Sequence, residues 1–300
     1  MAASGALLGL AVSGGPDSMA LLALASAALP GRIHVATVDH GLREASRQEA
    51  EQVAGVCARL GIPHRTLAVT VPAGNMQDAA RGARYAALGQ WAQGAGLAAI
   101  ATAHHADDQA ETLVMRLNRS SGLAGLAGVR ARGLVPDTDL PLLRPLLGWR
   151  RAELADVVAA TGWPVAQDPS NTDPQFDRAR IRKALAQCDW LDADAVSRSA
   201  AHLADTQAAL DWAVEREWYE AVEHADGVFR YRHGAPRAVG MAILARIIAE
   251  LNGAPRGGEV ARLFDSLAEG RGGTLAGVLA RAEGGIWIFR AEPPRGRQQA

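Results

Sequence analysis

Lysine is almost missing from this 300-residue chain. Lys183 is the only one, and the 31 basic side chains are otherwise arginine. No lysine follows the glycine-rich stretch near the start, which excludes the lysine-bearing phosphate loop G-x-x-x-x-G-K-S/T. Cysteine is scarce too: Cys57 and Cys188 make no disulfide framework, no C-x-x-C pair and no zinc site. Cys57 falls in a helical apolar pattern that suits core packing. No apolar run reaches the roughly 18 residues of a membrane-spanning helix, and Met1 to Leu10 has no positively charged start. These absences predict a cytoplasmic protein. The formal net charge of −1 gives no bulk attraction to nucleic acid.

The charge that is present is unevenly placed. Residues 116–183 hold 10 arginines and Lys183 against 7 acids, whereas residues 1–115 hold 7 arginines against 9 acids. The middle segment is a basic island, and arginine suits bidentate contact with phosphate. Arg116, Arg119, Arg178, Arg180 and Arg182 are its candidate RNA contacts. A solvated helix face is the plainer reading of the same residues.

The stretch Ser13-Gly14-Gly15-Pro16-Asp17-Ser18 sits between an apolar run, Leu7 to Val12, and an apolar helical run from Met19. That is a buried strand, a glycine turn and a helix start. Free amides at a helix N-terminus favour an anion, and Ser13 and Ser18 add hydroxyls. Asp17 would repel a bare phosphate. Mg²⁺ takes oxygen ligands from carboxylate and phosphate together, so the local reading is a nucleotide site with Mg²⁺ at Asp17. Pro16 supplies no amide, but its fixed φ suits the first residue of a helix. The alternative is an ordinary glycine turn whose polar residues cap the helix.

Strands then alternate with helices: Leu7–Val12, Ile33–Val38, His64–Val69 and Leu97–Thr102 are separated by helical segments. One of these opens with a capping box at Ser46-x-x-Glu49. The expected fold is α/β, a doubly wound parallel sheet. A helical segment and a smaller C-terminal α/β portion follow, with domains at 1–215 and 216–300. Ligands bind beyond the carboxyl ends of such strands, so Asp39 and His40 should face the glycine loop. Ser121 to Gly128 is too glycine-rich for a helix, and Leu140–Leu147 with its two prolines reads as an edge strand at best. Asp168 to Asn171 forms a turn cluster, and Arg295 to Ala300 a frayed tail.

His104-His105-Ala106-Asp107-Asp108-Gln109-Ala110-Glu111-Thr112 is the second constellation. Asp108 and Glu111 lie at i and i+3 on one helix face. Two carboxylates so placed can take Mg²⁺ or an ammonium group, while Asp107 is explained by helix capping. The histidines lack further ligands at zinc spacing.

The loop SGGPDS resembles that of the N-type ATP pyrophosphatase superfamily, which cuts ATP between the α and β phosphates. With VDHGLR at 38–43, ARGARY at 80–85, AHHADDQAET at 103–112, GLAGLAG at 122–128, RPLL at 144–147 and DPSNTDPQFDRARIR at 168–182, the chain is similar to the tRNA(Ile)-lysidine synthetases. The matches span residues 7–183 in order. The resemblance implies an enzyme that uses ATP, Mg²⁺ and L-lysine to convert a cytidine in the CAU anticodon of an isoleucine tRNA to lysidine. It implies that Ser13, Gly14, Gly15 and Ser18 cradle the pyrophosphate end of ATP and that Asp17 holds Mg²⁺. Pro16, Asp39 and His40 lie on the same nucleotide side. Arg84 would stabilise developing charge, and Asp108 and Glu111 would bind the lysine amino groups. Gln167 and Ala179 depart from the pattern, where an acid and an asparagine are usual. The region after residue 215 is short beside the longer members of the family, which carry additional C-terminal tRNA-binding domains; 216–300 is expected to be a small domain for tRNA binding or homodimer contact. A tRNA thiolase of the same superfamily is the nearest rival, but it calls for cysteines near the site. A nonenzymatic RNA- or nucleotide-binding module is the rival from another class.

Overall fold

The computed structural model describes residues 5–41, 44–70, 76–166 and 177–292. The turn expected at Asp168–Asn171, the departure at Gln167 and the tail at Arg295–Ala300 lie outside them. The chain divides into two compact units, Met1–Ala204 and Asp205–Ala300.

The first unit is a six-stranded sheet. In chain order it contains β1 (Leu8–Ala11), α1 (Pro16–Ala28), β2 (Ile33–Asp39), α2 (Glu44–Leu60), β3 (His64–Ala68), α3 (Met76–Gly94), β4 (Ala99–Ala101) and α4 (Ala106–Asn118). Next come α5 (Leu123–Leu126), β5 (Arg132–Leu134), β6 (Pro141–Leu143), α6 (Arg151–Thr161) and α7 (Asp177–Ala186). The strand order is β3-β2-β1-β4-β6-β5. β1 pairs in parallel with both β2 and β4, so the chain direction of travel across the sheet reverses at β1/β4. Such a switch point opens a crevice at the carboxyl ends of the two strands.

Apolar runs on β1 and β2 are covered on both faces, as a parallel sheet requires. Met19, Leu22, Val53, Val56, Leu154 and Val158 of α1, α2 and α6 pack with Leu10, Val12 and Val35. Tyr85, Leu88 and Trp91 of α3 pack with Ala36, Ile100 and Leu142.

Three local expectations need correction. β6 is not an edge strand: it pairs in parallel with β4 through Leu142 and Leu143, and antiparallel with β5, which now forms the edge. Pro141 is tolerated because it is the first residue of the strand, and Pro145 lies beyond its end. Leu123–Leu126 is one helical turn rather than loop. Gln109, buried on α4, fixes the chain after it: its amide nitrogen donates to Val129 O and its oxygen accepts from Val129 N, both at 2.7 Å. Gly128, at φ +64°, lets that amide pass, since a Cβ there would stand 2.6 Å from the Gln109 oxygen. The α2 helix starts at Glu44, so Ser46 and Glu49 lie inside it rather than at its cap.

The long helix α8 (Ala193–Ala221) carries the unit boundary. The second unit holds β7 (Val222–Ala225), β8 (Val228–Tyr231), α9 (Arg237–Glu250), α10 (Gly257–Ala268), β9 (Gly273–Leu275), β10 (Val278–Glu283) and β11 (Ile286–Ala291). Its five strands are all antiparallel, in the order β7-β8-β11-β10-β9. Ile243, Leu244, Ile247, Leu263 and Phe264 of the two helices pack on Phe229, Val278 and Phe289. The expected smaller α/β portion is therefore an antiparallel sheet with two helices. No helix among the described residues is long and apolar enough to cross a membrane.

Candidate active site

The glycine loop ties itself together before any ligand arrives. Ser13 N donates to Ser18 Oγ at 3.1 Å, Ser18 Oγ donates to Gly15 O at 2.9 Å, and the two serine hydroxyls stand 3.2 Å apart. Pro16 opens α1 and Gly15 is its N-cap, with no side chain bonded to the helix amides. Those amides are the unpartnered donors that an anion would meet. Gly14 has φ +91°, and a Cβ on it would touch Glu49 of α2 and Ala166, both near 3.5 Å. Ala166 N donates to Gly14 O at 2.9 Å. A left-handed backbone and close neighbours together demand glycine there.

Asp17 points into the crevice beside α4. Its Oδ1 is buried and has no hydrogen-bond partner among the described residues, and its Oδ2 stands 3.5 Å from His105 Nε2. Burial raises the Asp17 pKa, but the hydrogen bond and charge of His105, with Arg151 and Arg182 beyond, bring it below the ordinary carboxylate value.

His105 is the hub of this half of the site. Its side chain is wholly buried, with Asp17, Asp107 and Asp108 oxygens at 3.5–3.6 Å. Burial alone would lower its pKa; the hydrogen bonds to Asp107 and Asp17 and the charge of Asp108 raise it to about 9. The ring is therefore an imidazolium at neutral pH. The 3.4 Å approach of Asp108 N to Nδ1 is then a contact, because that nitrogen carries a proton. Asp108 caps α4 from its own side chain, accepting from His105 N at 3.1 Å.

Glu111 is almost fully buried and saturated by arginine. It accepts from Arg151 Nη2 at 3.3 Å, Arg178 Nε at 2.8 Å, and Arg182 Nε and Nη2 at 2.7 and 3.3 Å. Arg178 Nη2 also donates to Asp108 at 2.8 Å, so one guanidinium joins the two carboxylates. Burial would raise the Glu111 pKa; Arg182 and Arg178 lower it. Two of the expected RNA-contacting arginines are thus spent on the acids. Arg119 and Arg180 both pair with Asp177, at 3.2 and 3.6 Å.

The remaining predicted residues gather elsewhere on the crevice. Asp39 and His40 follow β2, where Asp39 Oδ1 accepts from Gly41 N at 2.9 Å. Arg84 Nη2 reaches His40 Nε2 at 3.4 Å from α3. His40 Nδ1 is buried without a partner. Burial and the nearby Arg84 charge lower its pKa, against the pull of Asp39, so the ring is neutral. His104 is neutral too: burial, with Arg144, Arg178 and Arg81 around it, presses its pKa to about 3. Its Nδ1 is 2.9 Å from Thr102 Oγ1.

The structure thus brings Asp17, Asp108 and Glu111 together through His105 and three arginines, and Arg84 together with His40. Sequence reasoning missed His105, Arg150 and Arg151 and gave Asp107 too small a part. A signal was there: two arginines open α6, where the helix dipole disfavours cations, which calls for acids from elsewhere.

The PP-loop domain family matches residues 3–188. The chain is 48% identical, over 288 residues, to the tRNA(Ile)-lysidine synthase of Novosphingobium aromaticivorans, covering 95% of this chain and 88% of that protein. The chain belongs to the tRNA(Ile)-lysidine synthase family. The synthase of Zymomonas mobilis is 37% identical over 298 residues, 96% of this chain and 89% of its own. Among solved structures, a U34-tRNA thiolase from Methanococcus maripaludis superposes with TM-score 0.56 at 15% identity, covering 67% of this chain and 72% of that one. That likeness is one of fold, the N-type ATP pyrophosphatase class. Lysidine synthases are ligases that form a carbon–nitrogen bond, and the PP-loop domain uses ATP. Cys57 is buried in the core, where burial pushes its thiol up to about 11, so it offers no ready thiolate for thiolase chemistry.

Proposed function

We propose that this member of the lysidine synthase family joins L-lysine to C2 of the wobble cytidine in a CAU-anticodon isoleucine tRNA, in the cytoplasm. The cytosine C2 oxygen takes AMP from ATP and pyrophosphate leaves. The lysine ε-amine then attacks C2, the C2–N bond forms, and the C2–O bond to AMP breaks. The observation that carries the reading is the pairing of an amide-rich loop at the end of β1 with buried carboxylates at the start of α4, within a chain of this family.

Each half suits one substrate. Gly14, Gly15 and Ser18 would present amides to the pyrophosphate end of ATP, while the Ser13 and Ser18 hydroxyls hold the loop in shape. Asp17 fits a hard cation, because its Oδ1 is buried and unpartnered among the described residues. Among the described residues no three acids, histidines or cysteines cluster as a metal cage, which suits Mg²⁺ held by one carboxylate with phosphate oxygens. Bound there, Mg²⁺ would neutralise charge on the phosphates. Arg84 aims a guanidinium across the crevice at charge developing on the transferring group. Asp108 and Glu111 receive the lysine amino groups. Their arginines must give way for an ammonium to enter, and the attacking amine must shed a proton to become a nucleophile. The target base has to leave its stack to reach the buried acids at the start of α4, and anticodon loops offer unstacked bases for that.

The test is transfer of labelled lysine, with ATP and Mg²⁺, to an isoleucine tRNA bearing CAU, with the CAU methionine tRNA as control. Labelled isoleucine tRNA and unlabelled methionine tRNA are expected. No transfer to the isoleucine tRNA defeats the proposal.

A further inference from the structure

Asp107, expected from the sequence to cap its own helix, bonds to another one: Asp108 makes the α4 cap. Its Oδ2 accepts from Arg151 N at 2.8 Å, and its two oxygens take Arg150 Nε and Nη2 at 3.3 and 3.1 Å. Arg151 is the first residue of α6, where backbone amides have no partner inside the helix. Asp107 therefore caps α6 from another helix, 44 residues earlier in the chain. Ala106 N donates to Trp149 O at 2.9 Å and adds a second stitch between the same two segments.

The clasp fixes the point from which the Arg151 side chain leaves. That side chain ends 3.3 Å from Glu111 Oε1 and 3.5 Å from His105 Nε2. It pairs with the amine-side acid, while its approach to the His105 imidazolium is a contact between two cations. Arg178 and Arg182 reach Glu111 from α7 by side chain alone. Arg151 differs, because its own backbone is tied to the helix that bears the acids. A cation at a helix N-terminus is disfavoured by the dipole. The Asp107 carboxylate offsets that cost and the Arg150 charge together. Its pKa is driven far down: burial opposes this, while His105, Arg150 and the Arg151 amide outweigh it.

We propose that Asp107 is a positioning residue that acts through Arg151 to hold Glu111 in register for lysine transfer. The inference rests on the lysidine synthase reading of the site. It assigns Arg151 as a further residue of the amine half.

The experiment is single-turnover kinetics on the full chain with isoleucine tRNA, ATP, Mg²⁺ and lysine, following pyrophosphate release and lysine transfer separately. Asp107→Asn and Arg151→Met should each slow transfer by about 10–100-fold, the usual loss when a partner that orients a site residue is removed. Transfer should lose more than pyrophosphate release, although Arg151 also adds to the charge around Asp17. The double variant should be no slower than the worse single one, because both remove the same linkage. Multiplying effects, or equal loss of pyrophosphate release and transfer, would overturn the proposal. If Asp107→Asn does not fold, Asp107→Glu, which keeps the charge and moves it by one methylene, carries the same cycle. A parent protein that transfers no lysine would defeat the function, whereas a normal parent with an unaffected Arg151→Met variant would defeat only this inference.

Discussion

The glycine loop and the acid cluster stand about the same crevice and handle charge in opposite ways. The loop, Ser13 to Ser18, satisfies its hydroxyls within itself and leaves neutral amides for a guest. The cluster is built of full charges, and its carboxylates are already matched: Asp107 by Arg150, Asp108 by Arg178, and Glu111 by Arg151, Arg178 and Arg182. Asp17 lies on the border, one oxygen near His105 and the other unpartnered among the described residues. A neutral cradle can stay ordered while empty. A cluster of buried charges holds together only while each charge has a partner, because an uncompensated buried ion is costly. The loop is thus the local element of the site and the cluster its cooperative one.

That contrast can be broken by substitution, and the cluster should break harder. Glu111→Gln leaves three guanidinium groups facing a neutral amide. Removing one partner of a buried pair costs about 3–5 kcal/mol, so thermal unfolding should show a Tm drop of many degrees. A shift under about 2 °C would mean that the arginines find other partners. The loop counterpart is Gly14→Ala. Its φ of +91° strains any side chain, which costs about 1–2 kcal/mol. ATP binding by calorimetry should weaken about tenfold or more, with lysine transfer at saturating ATP less affected.

pH sharpens the same difference. His105 is raised from 6.5 to about 9 in the folded protein. A raised pKa means stability that is fully present below about pH 6.5 and lost as pH climbs through about 9. The shift amounts to roughly 3 kcal/mol. The Tm of the nucleotide-free protein should fall between pH 7 and pH 9.5, and His105→Gln should flatten that fall. The lowered Asp17 and Glu111 act at the other end: their contribution is present above the unfolded carboxylate range and lost as pH drops through their folded values. The smallest effect is expected at Arg119→Ala. Its pair with Asp177 is exposed on both sides, and such pairs contribute about 0–1 kcal/mol. Stability should hardly change, and any loss of tRNA affinity can then be read as lost phosphate contact.

How much of this was legible in the sequence follows the same divide. The loop is six consecutive residues between a strand and a helix, so spacing alone located it. The alternation of strands and helices located the parallel sheet. Segments whose state depends on partners were read less well. β6 lies inside the sheet because β5 pairs beside it, and the turn at Leu123–Leu126 precedes a segment that a distant glutamine holds. In the cluster, Asp108 and Glu111 stood out at helical spacing. The cations that complete it come from 40 to 71 residues away, a distance over which no periodicity reports. His105 reads as one of two histidines without further ligands at zinc spacing; its neighbours Asp107 and Asp108 are in view, but the approach of Asp17 from the glycine loop leaves no mark in the local sequence.

The most direct test of the divided site compares Asp17→Ala with Asp108→Ala in single-turnover reactions containing isoleucine tRNA, ATP, Mg²⁺ and labelled lysine. Asp17→Ala should abolish pyrophosphate release and, with it, lysine transfer. Asp108→Ala should release pyrophosphate at close to the parent rate and fail at transfer. Loss of the same step in both variants would contradict the division between a nucleotide half and an amine half.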